Sequence, residues 1–361
     1  MLLSSGMELN MMNNSNLAMF KYSKRRQKFA VQGLWLALIS GITAGIYGNL
    51  TPIISEDPTL AFGTTIGVVM AMSFVTQGLY DFIAGIWMLI YNFGTGRSIK
   101  EYFRLARSGR MAGLLLLAAV FGGPVALGAS MIGVNLCGVT PALIVSSLSP
   151  VISAIMGRIM YKERLGMRVV IGITIAIIGI IIVGWSKPEG DYPYFMFGLL
   201  ISFIAAIGWG LEGAVATYAA DMTDPNTAVG LFRTLLSGVV GIVIMIPIFG
   251  ICTREGLIGW DMVSSVLTSP KLLVVVIIAG LMCAISYCTT YVAFSKTGGT
   301  RSLVLINTYA IWSIVVGLMM AAFGISNYSV SGIVVIGAIV DFIGIALVIG
   351  NPKDLVKLRT V

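Results

Sequence analysis

The sequence predicts an all-α integral membrane protein with ten transmembrane helices, arranged as two inverted five-helix repeats. Three observations support this fold class: the composition, the number of long apolar runs and an internal duplication. Of the 361 residues, 57% are hydrophobic and only 11% are charged, whereas soluble domains have about 45–50% apolar and about 25% charged residues. A soluble fold could not cover so much apolar surface, so we expect the chain to lie in a lipid bilayer.

The apolar runs have the length that a bilayer demands. A transmembrane helix needs about 20 apolar residues, because the hydrocarbon core is about 30 Å thick. The connections between the runs are mostly short, so consecutive helices should be antiparallel neighbours in a compact bundle. The ten predicted spans are about 31–54, 62–92, 111–134, 140–161, 167–186, 195–218, 227–251, 271–294, 300–323 and 330–350.

The second half of the chain resembles the first. The stretch from Gly138 to Trp185, which has a basic turn at 161–166, has a weaker copy from Gly299 to Gly350 at an offset of 160 residues. Gly33-Leu34 matches Gly198-Leu199 at an offset of 165, and Asp57-Pro58 matches Asp224-Pro225 at 167. Three blocks in the same order at nearly one offset predict a duplicated chain.

The loop charges predict the orientation. Nineteen Lys and Arg residues fall on one side of the predicted bundle, and only Lys187, Arg254 and Lys271 fall on the other. Cytoplasmic loops are enriched in these residues, so both termini should lie in the cytoplasm and the protein in the cytoplasmic membrane. Five is an odd number, so the second repeat must enter the membrane from the opposite face. We therefore expect a cytoplasmic tail at 1–30, repeats at 31–186 and 194–350, and a cytoplasmic tail at 351–361.

The residue types present exclude several function classes. The net charge of +8 comes from loops and the N-terminal tail, which is not the pattern of a nucleic-acid-binding face. The chain has no histidine, and its four cysteines have no metal-ligand spacing. No phosphate-binding loop and no paired catalytic carboxylates occur. The sequence therefore predicts no catalytic residue, no metal, no cofactor and no enzymatic activity.

Four ionisable residues interrupt predicted spans away from their ends. Such residues are costly in lipid and usually face a cavity or a partner. Asp81 falls near the middle of the second span, Glu212 lies among glycines in the sixth, and Arg233 lies in the seventh at a similar depth to Glu212. A structural ion pair or helix–helix hydrogen bond is the alternative to a role in a site. Asp341 in the last span is a weaker candidate, since it could serve packing or a dimer contact.

Aromatic and polar residues crowd the same spans. A carboxylate surrounded by aromatic rings is the environment that a quaternary ammonium prefers, because the ring quadrupole attracts a cation. Prolines near these segments, Pro141, Pro150 and the one in Gly122-Gly123-Pro124, predict broken helices of the kind that transporters use for substrate binding. The candidate substrate-binding residues are Glu212, Trp209, Asp81, Tyr80, Tyr47, Asn307, Tyr309 and Trp312, with Arg233 and Glu212 as a candidate gating or charge pair.

These motifs resemble those of the drug/metabolite transporter superfamily, of the ten-helix EamA-like kind. The most specific block is Ser147-Leu148-Ser149-Pro150, followed by Tyr161-Lys162-Glu163-Arg164-Leu165 and then Gly172. Tyr80-Asp81, Gly208-Trp209-Gly210-Leu211-Glu212 and Asn307-Thr308-Tyr309-Ala310-Ile311-Trp312 are most similar to the choline-permease-like branch. The resemblance implies an amine or another small polar metabolite as substrate, with Glu212 as the counter-charge.

The sequence thus predicts a secondary transporter that moves a small polar or cationic metabolite, a choline-like amine being favoured, by alternating access. Protons are a candidate coupling ion. A homodimer is also possible, because glycines of the fifth span could pack within the chain or against a second copy. An exporter of amino acids, nucleobases or drugs is the alternative within the superfamily. An intramembrane enzyme and a channel are the alternatives from other classes.

Overall fold

A computed structural model describes residues 2–60, 62–63, 65–161, 167–186, 192–220 and 222–348. Every regular element within these ranges is helical. Eight helices are long and apolar enough to cross a membrane, and two further apolar helices, Val170–Trp185 and Gly332–Leu347, are shorter. The prediction of an all-helical protein with multiple membrane spans is therefore confirmed.

The helices follow the predicted spans closely. A 3-10 turn at Pro58–Leu60 lies between the first two helices. The bounds are α1 Leu2–Ser55, α2 Ile66–Gly94, α3 Ile99–Ala106, α4 Arg110–Cys137, α5 Val139–Ser146, α6 Ser149–Tyr161, α7 Met167–Trp185, α8 Phe195–Ala220, α9 Pro225–Cys252, α10 Ile258–Thr268, α11 Pro270–Thr297, α12 Gly299–Ile306, α13 Tyr309–Ala322 and α14 Gly332–Val348.

Two short helices, α3 and α10, lie in connections for which no helix was predicted. Helix α1 begins at Leu2 and continues through most of the predicted N-terminal tail. The basic turn after Tyr161 and the predicted C-terminal tail at 351–361 lie outside the described residues.

The fourth and the ninth predicted spans are each split into two helices. The helix boundaries at and before these splits match between the two halves of the chain. Gly138, with φ 88° and ψ 161°, ends α4 and starts α5, and Gly298, with φ 82° and ψ 160°, ends α11 and starts α12. Positive φ is a conformation that glycine adopts at little cost. Nine residues further on, Ser147 caps the end of α5 and Asn307 caps the end of α12, with φ values of −68° and −69°. Each pair of positions is 160 residues apart in the sequence.

The prolines act differently from one another. Pro141 and Pro150 lie in the first turns of α5 and α6, where an absent N–H removes no helical hydrogen bond. Pro124, in contrast, lies inside α4 within a π-helical segment, Phe121–Leu127. Two more π-helical segments, Val229–Leu236 and Val240–Met245, interrupt α9, and such segments are frequent at functional sites.

The helices pack in recurring pairs around one large apolar cluster and two smaller ones. Helix α1 packs on α11 and α13, α8 packs on α4 and α6, and α2 packs on α9. Helices α7 and α14 form a separate close pair. A Cβ added at Gly179 would meet the backbone of Asp341 at 2.5 Å, and one at Gly344 would meet the backbone nitrogen of Ala176 at 2.2 Å. Small residues of the fifth span thus pack against α14 within the same chain. The homodimer stays a prediction.

Candidate functional site

A fully buried arginine lies at the centre of the helical bundle. Arg233, in the first π-helical segment of α9, is 1% exposed and donates hydrogen bonds in three directions. Its Nε donates to Glu212 Oε1 at 2.9 Å, its Nη1 to Asp81 Oδ2 at 3.1 Å, and its Nη2 to the Gly122 carbonyl at 2.8 Å. Its guanidinium carbon also lies 3.9 Å from the ring centre of Tyr287. One guanidinium thereby joins helices α2, α4, α8 and α9.

Asp81 is saturated with hydrogen-bond donors. Its Oδ2 accepts from Gln77 at 2.9 Å and from Ser237 at 2.5 Å, in addition to Arg233. Its Oδ1 accepts from the Tyr287 hydroxyl at 2.9 Å. Donors that satisfy both oxygens are what an ionised carboxylate needs when it is buried. Asp81 is therefore held firmly in place and has little capacity left for a ligand.

Glu212 has fewer partners. Its Oε1 accepts from Arg233 and, at 3.0 Å, from the Tyr291 hydroxyl. Its Oε2 makes no hydrogen bond to any residue in the described ranges, and Glu212 lines a cavity. Of the two carboxylates that contact Arg233, Glu212 is thus the one with an acceptor oxygen available to a ligand.

Glycines in α4 make room for both carboxylates. A Cβ added at Gly122 would lie 2.1–2.3 Å from the carboxyl atoms of Glu212, and one at Gly123 would lie 1.8 Å from Ser237 Oγ. Real Cβ atoms do not approach other atoms so closely, so only glycine permits this contact. The Gly122-Gly123-Pro124 sequence therefore gives the carboxylates close access to the α4 backbone, in the segment where Pro124 disrupts regular α-helical hydrogen bonding.

The charges of this centre do not balance. Asp81 and Glu212 contribute two carboxylates, and Arg233 contributes one cation. With all three groups ionised, the cluster carries one net negative charge inside the bundle. A cation that entered next to Glu212 would neutralise it, which is favourable where the dielectric constant is low.

A cavity of about 50 Å³ lies against Glu212 and Arg233. This is several times the roughly 10–15 Å³ that one water needs. Both predicted halves contribute ring and hydroxyl groups to its wall, and the second half contributes most of them. The lining residues used below are Tyr47, Ser149, Trp209, Tyr287, Tyr291, Phe294, Asn307 and Tyr309.

Aromatic rings are the main feature of this wall. Trp209 and Tyr309 pack edge to face with their ring centres 5.8 Å apart, and Tyr291 and Phe294 lie 5.9 Å apart. Phenyl and indole faces attract cations that carry no hydrogen-bond donors. The cavity therefore combines a carboxylate oxygen with aromatic surfaces, which is a suitable environment for an organic cation.

The structure brings most of the predicted site residues together. Those that line the cavity are Tyr47, Trp209, Glu212, Arg233, Asn307 and Tyr309. Asp81 lies behind Arg233, and Tyr80 is fully buried and packs edge-on against Tyr47 with ring centres 6.4 Å apart. Trp312 is half-buried and contacts Gly45 of α1, away from the cavity wall.

Several participants were not predicted. Ser237 lies one helical turn after Arg233, so its contact with Asp81 follows from the spacing of α9 once Arg233 is placed on the inner face. Tyr287 and Tyr291 are likewise one turn apart in α11, and each donates to a different carboxylate. Ser286, Thr290 and Phe294 in the same wall carry no pattern that distinguishes them from ordinary span residues.

The breaks in the two split spans contact each other beside the cavity. Asn307, at the break between α12 and α13, donates through Nδ2 to the Ser147 carbonyl at 2.7 Å and contacts Ser149 Oγ at 3.1 Å. Ser147 and Ser149 flank the break between α5 and α6. The predicted juxtaposition of these two segments is therefore present, and it forms part of the cavity wall.

Two ion pairs are formed by aspartates that precede prolines in connections between helices. Asp57, before the turn at Pro58, accepts from Lys271 at 2.7 Å, and this hydrogen bond together with those from Thr59 lowers the pKa of the Asp57 carboxyl to about 2. Asp224, before Pro225, accepts from Arg97 at 2.7 Å. Burial opposes ionisation of Asp224, but the hydrogen bonds from Arg97 and from the helix start keep its pKa below the usual value.

A second cavity, of about 240 Å³, lies further along α1 and is lined by more polar groups, including Asn49, Glu56 and Tyr192. Burial raises the pKa of the Glu56 carboxyl.

The part of the chain that the structure describes contains no group of three or more His, Cys, Asp or Glu side chains able to hold a metal ion. The four cysteines are free.

Comparisons with known proteins agree with the helical architecture. Residues 31–185 match the model of the EamA-like transporter family, nearly the range predicted for the first repeat. Protein LicB of Haemophilus influenzae is 21% identical over 281 residues, which are 78% of this chain and 87% of that protein. One solved crystal structure of a protein is similar with a TM-score of 0.53 at 16% identity, over 86% of this chain and 95% of the other. This structure supports the fold alone.

Proposed function

We propose that this protein is a secondary transporter of the EamA-like kind, which moves a small cationic metabolite across the cytoplasmic membrane by alternating access. The observation that carries the proposal is the cavity in which the free oxygen of Glu212 meets a wall of aromatic rings. The family match over residues 31–185 supports the transporter class.

Alternating access needs two halves that can exchange shapes around one site, and the helix breaks support such halves. Gly138 and Gly298 share one backbone conformation, and so do Ser147 and Asn307, at the offset of 160 found in the sequence. The packing is also paired: α1 with α11 corresponds to α8 with α4, and α1 with α13 corresponds to α8 with α6. Ten spans in two inverted repeats, 31–186 and 194–350, account for both observations.

The two surface ion pairs are consistent with this arrangement. Asp57 and Asp224 occupy matching places before a proline, 167 residues apart. In the orientation that the loop charges predict, Asp57 with Lys271 lies on the outer side and Asp224 with Arg97 lies on the cytoplasmic side. Each pair would then hold one side of the bundle and separate when that side opens.

Among substrate classes, a choline-like amine fits best. A quaternary ammonium has no N–H to donate, so it gains from ring faces and from one nearby negative charge and does not need many acceptors. Glu212 would neutralise it, Trp209, Tyr291 and Tyr309 would surround it, and Asp81 would keep Arg233 in place. An exported amino acid, nucleobase or drug would also need this cavity, but none of these explains the excess negative charge as directly.

Uptake of labelled choline into proteoliposomes tests the proposal. Glu212→Gln keeps the size of the side chain and removes its charge, and the matched control is Glu101→Gln in α3, outside the bundle core. Removal of one partner from a buried charged contact costs about 2–5 kcal/mol, so we expect the half-saturating choline concentration to rise at least about thirtyfold in Glu212→Gln alone. Wild-type protein that neither transports choline nor is thermally stabilised by any quaternary amine would refute this substrate class.

A further inference from the structure

We propose that Asp341 is a proton-binding site, and that its protonation is coupled to the hydrogen bonding of the helix break between α5 and α6. The carboxyl group lies in α14, is 2% exposed and packs against Gly179 of α7. It is separate from the Asp81, Arg233 and Glu212 cluster. The inference rests on the proposed function, because a coupling proton has a purpose only in a carrier.

The contacts of Asp341 are those of a neutral acid. Ser147 Oγ lies 2.5 Å from Asp341 Oδ2 and 2.6 Å from the Ile144 carbonyl oxygen. A hydroxyl has a single proton to donate, so it cannot satisfy both acceptors at once. If the serine donates to the Ile144 carbonyl, the proton in the second hydrogen bond must come from the carboxyl group itself.

The other carboxyl oxygen supports the same conclusion. Asp341 Oδ1 is buried and has no hydrogen-bond partner in the described part of the chain. An ionised carboxylate with an unpaired oxygen is very costly away from water, whereas a protonated one loses much less. Asp81, whose two oxygens accept four hydrogen bonds, shows what this protein provides when a buried carboxylate is to stay ionised.

No cation faces Asp341 from the described side chains around it. Helix α7 carries Arg168 in its first turn, eleven residues or roughly 16 Å from Gly179 along the helix. Helix α5 has no titratable residue, and α6 has only Arg158 and Tyr161 in its last turn, with side chains outside the described set. From α13, the neighbouring titratable residue is Tyr309, which supplies no positive charge.

A short path connects Asp341 with the cavity. The Ser147 carbonyl accepts from Asn307 Nδ2, and Asn307 and Ser149 both line the cavity, as does Tyr309. When water that enters there takes the proton, the carboxylic acid becomes a carboxylate and the water becomes hydronium. Ser147 Oγ must then donate to Asp341 and release the Ile144 carbonyl. Loss of the proton therefore changes the hydrogen bonding of the last turn of α5, at one of the two helix breaks.

Infrared spectroscopy of the purified full-length protein in lipid tests the site without any substrate. We expect the wild type to show, near neutral pH, a carbonyl stretching band of a protonated carboxylic acid that is absent in Asp341→Asn and unchanged in the exposed control Asp261→Asn. Ser147→Ala removes the one hydrogen bond that the described residues make to the carboxyl group, so the band should persist to higher pH. The absence of an Asp341-dependent band, or an unaltered titration in Ser147→Ala, would overturn the proposal.

Proteoliposomes with a clamped membrane potential test the coupling. A gradient of one pH unit stores 1.36 kcal/mol per proton, which is about tenfold accumulation for one proton per substrate. We expect wild type to reach that accumulation with labelled choline, and Asp341→Asn to exchange choline across the membrane without accumulating it. Gradient-driven accumulation in Asp341→Asn would overturn the coupling. If wild type does not transport choline, the substrate class fails, and the infrared result still decides the proton site.

Discussion

Replacement of Gly122 by alanine tests how the binding carboxylate is held. The added Cβ would lie 2.1–2.3 Å from the three carboxyl atoms of Glu212, so the carboxyl group must move by more than half an ångström. It then loses the hydrogen bonds from Arg233 Nε at 2.9 Å and from the Tyr291 hydroxyl at 3.0 Å. Hydrogen bonds to charged groups contribute about 1.5–3 kcal/mol each, so the loss of two should lower the free energy of unfolding by about 3–6 kcal/mol.

The control for this substitution lies in the same helix. Gly113 is exposed in α4, and a Cβ there would meet nothing within 4 Å. Gly113→Ala should therefore stabilise the protein slightly, by about 0.5–1 kcal/mol, because alanine favours the helix. Thermal unfolding in detergent, together with choline uptake, measures both variants. If Gly122→Ala unfolds and transports like Gly113→Ala, the close contact of Glu212 with the α4 backbone is not needed, and the argument is wrong.

Three further predictions follow from single contacts. Arg233→Lys should destabilise the protein by at least about 2 kcal/mol in thermal unfolding, since one ammonium group cannot reproduce a planar fork that donates in three directions; unchanged stability would contradict this. Asp57→Asn should lower the melting temperature near neutral pH but not near pH 2. A carboxyl whose pKa is lowered to about 2 by Lys271 stabilises the fold at pH values above the pKa of the unfolded state, and this stabilisation is lost as the pH falls towards 2. An equal drop in melting temperature at both pH values would argue against this contribution. Trp209→Leu should weaken choline binding about three- to thirtyfold in a calorimetric titration, because one ring face is lost. Trp35→Leu, at an exposed position of α1, should bind choline normally in the same titration. Equal effects of the two substitutions would refute a role for Trp209 in the cavity.

Local sequence patterns were sufficient for the helices. Each of the ten apolar runs corresponds to helical structure, because burial in lipid leaves the backbone few alternatives to internal hydrogen bonding. The helix ends at Gly138 and Gly298, where glycine adopts positive φ, were not predicted. The helices α3 and α10 were missed because amphipathic connections have no such length requirement.

The site could be predicted only in part. An ionisable residue in an apolar span is a strong indication by itself, so Asp81, Glu212 and Arg233 were all found. The different roles of these three residues were not predicted, because each role depends on which donors surround each carboxylate oxygen. The hydroxyl groups of Tyr287 and Tyr291 reach different carboxylates from one helix, and no spacing rule says which.

The sequence by itself determined that the chain is helical, lies in a membrane and places a few charges in its apolar spans. These properties follow from composition and periodicity, which act locally along the chain. Only the tertiary structure decided that Asp81 is saturated while Glu212 keeps a free oxygen towards an aromatic cavity, and that Asp341 touches a serine at a helix break. Such distinctions depend on distances of a few tenths of an ångström between residues of different helices, as far apart in the sequence as Asp81 and Tyr287, and the packing of the whole bundle sets those distances.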